Sequence, residues 1–118
     1  MGVDFDAYLI YGFQLDNIEL QKFLDERYNN CYNFYEWIES VEDETLCEFL
    51  WEDHYRNPLD NNIYFGIRIY NRATADTIRE IIDIRTEEIC DDLIRIFGSY
   101  NIVDESIVPK IFAVPVVH

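Results

Sequence analysis

The chain has 118 residues, 49% of them apolar and 16% aromatic, enough for one domain to close a single core without disulfide or metal staples. Its 24 acidic residues stand against 9 basic ones, and the net charge of −15 repels phosphate backbones and anionic lipid. Direct nucleic-acid or membrane-surface binding is thereby set aside, and a basic protein becomes the expected partner.

Lysine occurs only at Lys22 and Lys110 although Ile, Asn, Tyr and Phe are abundant. An AT-rich coding sequence would enrich lysine together with those residues, so acidity reads as selected, and a small phage or viral genome fits the composition. The cysteines Cys31, Cys47 and Cys90 are odd in number and far apart. That spacing favours reduced thiols in a cytoplasmic protein over a disulfide framework or a zinc site. No run approaches 18 apolar residues, and the start MGVDFD is acidic where a secretory signal is basic and then apolar. Gly2 is followed by Asp6 rather than Ser or Thr at the sixth position, which argues against myristoylation.

From Val3 to Gln14 the odd positions Val3, Phe5, Ala7, Leu9, Tyr11 and Phe13 are apolar, the period of a strand with one buried face. Asp4 and Asp6 lack the further ligands and the glycine turn of a metal loop and read as surface charge. Asp16 followed by Glu19 signals a helix start, Leu20, Phe23, Leu24 and Tyr28 supply its apolar stripe, and Asn29-Asn30 ends it.

Residues 31–56 admit more than one reading. A strand is expected near 33–39. Over 44–52, Thr45, Cys47, Phe49 and Trp51 alternate as a strand does, while Leu46, Phe49 and Leu50 fit one face of a short helix. Charge does not depend on that choice: Glu36, Glu39, Glu42, Asp43, Glu44, Glu48, Glu52 and Asp53 occur with no Lys or Arg between Arg27 and Arg56. Glu44, Glu48 and Glu52 share a face on a helix or on a strand, and are expected to form one acidic row. Glu52-Asp53-His54 is no metal or acid–base centre, because adjacent residues do not converge on a point and the other histidine is His118.

Asn57-Pro58 and Asp60-Asn61-Asn62 mark a turn. Ile63, Phe65, Ile67 and Ile69 then alternate with Tyr64, Gly66, Arg68 and Tyr70 in a second clear strand. Phe65 to Tyr70 is loosely similar to the base-stacking strand of RNA-recognition domains. The basic-glycine pair before it is missing, Ile67 replaces an aromatic, and the net charge opposes phosphate, so RNA binding is rejected. Tyr64, Tyr70 and Trp51 remain as exposed anchors for a protein partner.

The stretch 74–98 predicts an amphipathic helix. Ile78, Ile81, Ile82, Ile89, Leu93, Ile96 and Phe97 fall on one side, and Asp76, Glu80, Asp83, Glu87 and Asp91 on the other. Arg85 on the apolar side and Ile94 on the acidic side depart from the pattern, and a break near 83–86 would account for Arg85. Thr77 with Glu80 fits a capping box, and Gly98 an αL cap. After a polar connection over 99–109, Ile111 to Val117 form a last strand, which Pro115 places at a sheet edge or ends there.

The element order is strand, helix, strand, strand, helix, strand. It predicts a single α+β domain over residues 1–118, with an antiparallel sheet and two helices on one face, the ferredoxin-like βαββαβ arrangement. Neither a nucleophile–base pairing nor a glycine-rich phosphate loop is present, so no enzyme activity and no cofactor or metal are expected. The leading expectation is an inhibitor that imitates a nucleic-acid backbone with the rows Asp76/Glu80/Asp83/Glu87/Asp91 and Glu44/Glu48/Glu52. The alternative is a non-catalytic assembly module, homodimeric or bound to another protein, that works through aromatics and a sheet edge.

Overall fold

β1 (Phe5–Leu15) is central in the sheet, pairing antiparallel with β3 (Ile63–Ile69) on one side and β4 (Lys110–Val117) on the other. The short β2 (Glu48–Trp51) adds to the far side of β3, giving the order β2-β3-β1-β4. The computed structural model describes residues 5–28, 34–53, 56, 58–69, 74–98, 103 and 107–117. Because β3 lies antiparallel between β1 and β2, those two run parallel, and the first crossover is a split βαβ unit. A second such unit carries β3 past β1 to β4. The fold is α+β, with the strand order that the βαββαβ reading requires.

The helical layer differs from expectation. The described residues form three helices, α1 (Asn17–Tyr28), α2 (Phe34–Glu44) and α3 (Ala75–Phe97). The strand expected near 33–39 is the first half of α2. Trp37, Ile38 and Val41 are buried at helical spacing while Tyr35, Glu36 and Glu39 are exposed, a pattern that a two-residue period cannot produce. Thr45 then ends the helix, its hydroxyl donating to the Val41 carbonyl at 2.9 Å and accepting from the Cys47 N–H at 3.1 Å. That turn frees 48–51 to be a strand.

One core lies between the sheet and all three helices. Tyr11, Phe13 and Leu15 of β1, Phe49 of β2 and Phe65 of β3 meet Leu20 and Phe23 of α1, Trp37 of α2, and Ile89, Leu93 and Phe97 of α3. Its centre is aromatic: the Trp37 ring is 5.2 Å from Phe49 and 6.0 Å from Phe97, and Phe97 is 5.1 Å from Phe23. Such tilted and edge-on pairs add about 0.5–1.5 kcal/mol each beyond area burial. Asp16 caps α1 as expected, its carboxylate accepting from the Glu19 N–H at 2.9 Å.

The other sheet face carries a smaller cluster of Ile10, Leu50, Tyr64 and Val114. Gly12 and Gly66 face each other across β1 and β3, and a Cβ on either would run into the carbonyl oxygen of Phe65 or Tyr11. The Tyr64 and Phe112 rings reach over from the strands flanking β1 and meet at 5.2 Å, Tyr64 standing level with Gln14 and Phe112 with Ile10. They therefore close over Gly12, where no side chain occupies the space. Tyr64 is only 7% exposed, so its expected role as an exposed anchor gives way to a packing one.

Candidate protein-binding face

α3 is a single unbroken helix, so the break considered near 83–86 does not occur. Its middle is fixed by Thr86, whose hydroxyl donates to the Ile82 carbonyl and lies 2.8 Å from the Tyr11 hydroxyl of β1. Arg85 is accommodated at the boundary of the apolar side by reaching Glu88 at 3.0 Å. The N-cap is Thr74, which accepts from the Thr77 N–H at 3.2 Å, and not Thr77. Glu80 is therefore not taken up in a capping box. Gly98 ends the helix at φ 61° and ψ −125°, a positive φ as expected but outside the αL basin, and donates to the Ile94 carbonyl at 2.8 Å.

Asp76, Glu80, Asp83, Glu87 and Asp91 are all exposed, while Ile89, Leu93 and Phe97 are buried on the opposite side. The row runs about 22 Å along the axis at ~1.5 Å per residue. α3 holds seven carboxylates and three arginines, a net of −4. Those arginines pair with Asp76 (3.9 Å, solvent-exposed), Glu88 (3.0 Å) and Asp92 (3.1 Å). Among the described residues, Glu80, Asp83, Glu87 and Asp91 have no cation within ion-pair distance. The unneutralised charge of the helix is thus concentrated on the row.

Glu44, Glu48 and Glu52 do not form the second row that their spacing predicts. Glu44 is the last residue of α2, Glu48 the first of β2, and Glu52 follows that strand. Glu44 lies 3.9 Å from Arg95 of α3 on the helical side. Glu48 faces the other side of the sheet and pairs with Arg68 at 3.5 Å, and the Arg68 guanidinium sits 4.9 Å over the Tyr8 ring. Glu52 accepts from Asn62 at 3.3 Å. The turn at Thr45 separates them, because a four-residue spacing keeps one direction only within one regular element.

The structure joins Glu44 to α3 instead. Asp43 and Glu44 of α2 with Glu88, Asp91 and Asp92 of α3 line a shallow depression of about 460 Å³, with Thr45 and Leu46 at its rim. Leu46 is 57% exposed there. Asp43 belongs to the acidic stretch already read between Arg27 and Arg56, whereas Glu88 and Asp92 lie outside both expected rows, although the doublets Glu87-Glu88 and Asp91-Asp92 carry the signal. Neighbours on a helix differ by about 100°, so the second member of each doublet makes a parallel track facing α2. Cys47 lies buried beside this region, and burial first, then the charges of Asp92 and Glu88, push its thiol up to about 12.

The remaining anchors divide. Trp51 is half-buried against the core with its ring 6.4 Å from Tyr35, and Tyr70 lies outside the described residues, as do Cys31, Asp4 and His54. Among the described residues no group of three or more His, Cys, Asp or Glu is placed to hold a metal ion, and no helix is long and apolar enough to cross a membrane. Comparison with protein-family models, with curated proteins and with solved structures returned no match.

Proposed function

We propose that this protein is a non-catalytic inhibitor that presents the α3 row in place of a nucleic-acid backbone and occupies the basic channel of a nucleic-acid enzyme. One observation carries the reading: Glu80, Asp83, Glu87 and Asp91 stand exposed on one unbroken helix and, among the described residues, without arginine partners. Their axial spacing is about 5–6 Å, sparser than the ~3.4 Å of a single nucleic-acid strand. Glu88, Asp92 and Glu44 beside the row are offset by Arg85 and Arg95, so the mimicry rests on the row itself, with Asp43 of α2 nearby. Like charges three or four apart cost a few tenths of a kcal/mol per pair, and a basic channel turns that cost into attraction and fast encounter. A phage or viral protein acting in the host cytoplasm against a defence nuclease of the CRISPR or restriction kind is the setting that fits.

The test is affinity capture from host lysate with the native protein and with the combined variant Asp76→Asn, Glu80→Gln, Glu87→Gln, Asp91→Asn, checked for folding by circular dichroism. Recovery of a basic nucleic-acid enzyme by the native form alone, released by nucleic acid and by added salt, is the expected outcome. Equal recovery by both forms would remove α3 as the site.

The second reading, an assembly module whose acidity serves solubility, draws support from the edge strand β4. There Ile111 is 45% exposed, and Val108, just before the strand, is 56% exposed. It predicts a homodimer or partner complex that persists in high salt and is indifferent to the carboxylates of α3.

A further inference from the structure

The two edges of the sheet are treated differently. On β2, Phe49 donates its backbone N–H to Glu42 Oε2 at 3.0 Å, so an outward main-chain donor of that four-residue edge is already engaged. β4 is eight residues long, contains no carboxylate, and among the described residues has no strand beyond it.

The direction of the β4 main-chain groups follows from that one bond. Antiparallel pairs alternate between hydrogen-bonded and non-bonded. Since Phe49 points away from β3, its partner Phe65 points toward Phe13 of β1. The odd residues of β1 therefore face β3, and their partners Ile111, Ala113 and Pro115 on β4 turn outward. Pro115, with no N–H to offer, falls in the outward set, as an edge position requires. Ile111 and Ala113 thus present outward N–H and C=O groups.

Their side chains lie on the helical side of the sheet, where both are exposed among the described residues. The Cys90 thiol is 4.0 Å from the Ile107 carbonyl, which sets that side of α3 along the entrance to β4. Asp83 and Glu87, seven and three residues before Cys90, are on the same side of the helix. On the opposite sheet face the neighbours are Phe112 and Val114. A strand added here meets carboxylates on one face and apolar side chains on the other.

The geometry points to β4 as the place where a basic partner enters, as an extended segment alternating basic and apolar residues that hydrogen-bonds to Ile111 and Ala113 beneath the carboxylates of α3. This rests on the proposed role of α3 as the face that meets a basic protein, and names the form that partner takes. Main-chain bonds supply affinity and the alternating side chains supply selection, as in other strand additions.

The probe is a capped octapeptide of alternating lysine and valine, added to the full chain while backbone amide exchange is followed by NMR. Slowing of exchange at Ile111 and Ala113 by at least tenfold on saturation is the expected result, together with loss of peptide binding in Ala113→Pro. Salt-sensitive binding without that slowing overturns the strand addition and leaves the electrostatic role of α3 standing. No binding at low salt overturns the inference, and the lysate capture then decides the wider reading by itself. Amides already protected before peptide is added, in a protein that sediments as a dimer, would give the edge to a second copy and overturn it as well.

Discussion

The two carboxylate rows predicted from the sequence share a similar spacing and meet opposite fates. Asp76 to Asp91 stay together because 23 consecutive residues form one helix, whereas Glu44, Glu48 and Glu52 fall on the end of one element, the start of the next and the segment beyond it. The second set then acquires partners in the fold, Arg95, Arg68 and Asn62, while four members of the first have none among the described residues. Charges drawn into local contacts are integrated in the structure. Those left without contacts are available to something outside it.

The persistence of the α3 row depends most on the helix being held in place, and its C-terminal half supplies the anchor. Phe97 is 1% exposed, with its ring 5.1 Å from Phe23 and 5.9 Å from Phe65. Phe97→Ala should cost about 3–5 kcal/mol in urea unfolding. Leu46→Ala, at the exposed rim of the acidic depression, should change stability by less than about 0.5 kcal/mol. A small cost at Phe97 would mean that α3 is loosely docked, and the contrast between the rows would lose its basis.

Legibility followed the same division. β1, β3 and α3 could be read because each keeps one period over many residues, and even the misfit Ile94 is 51% exposed as its place on the acidic side requires. Residues 34–44 misled because Phe34, Tyr35 and Trp37 have strand propensity, while the deciding feature, burial of Trp37 with Val41 four residues on, exists only against the Phe23, Phe49 and Phe97 rings. Glu44, Glu48 and Glu52 were not legible as separate sites because spacing fixes direction only within one regular element, and the turn at Thr45 interrupts it. The exposure assigned to Tyr64 failed for a further reason. Nothing in the order of residues says that Gly12 and Gly66 will face each other and draw the Tyr64 and Phe112 rings over them.

Cys47, between α2 and β2, reports on the α3 side of the acidic depression. Its thiol ionises near 9 in the unfolded chain and is held to about 12 in the fold, by burial and then by Asp92 and Glu88. The folded form keeps a proton that the unfolded form loses, so stability falls as pH rises above 9, with a slope approaching about 1.4 kcal/mol per pH unit from this group. Glu42 has the same sign at lower pH, since burial outweighs the bond from Phe49 and raises its carboxyl above 4.5. Its contribution is largest in acid and declines as pH rises through the carboxylate range. Thiol absorbance followed against pH should show one native cysteine titrating far above the ordinary range, and Glu88→Gln with Asp92→Asn should lower that midpoint. An unmoved midpoint would mean that burial alone sets it.

The smallest expected effect separates the rows by sign. Glu80→Gln, Asp83→Asn and Glu87→Gln together remove every like-charge contact between neighbours in the α3 row, each worth about 0.2–0.5 kcal/mol, so this triple variant should be more stable by roughly 1 kcal/mol at low salt. Glu44→Gln, Glu48→Gln and Glu52→Gln remove the ion pairs to Arg95 and Arg68, and should leave stability unchanged or lower it by up to about 1 kcal/mol. Raising the salt to 1 M shortens the screening length to about 3 Å, and the gain in the first variant should largely disappear. A gain that persisted at high salt would trace to helix propensity rather than repulsion. A stabilised second variant would show that the partners of Glu44 and Glu48 do not offset the repulsion within a −15 chain, and that the two sets of carboxylates are energetically alike after all.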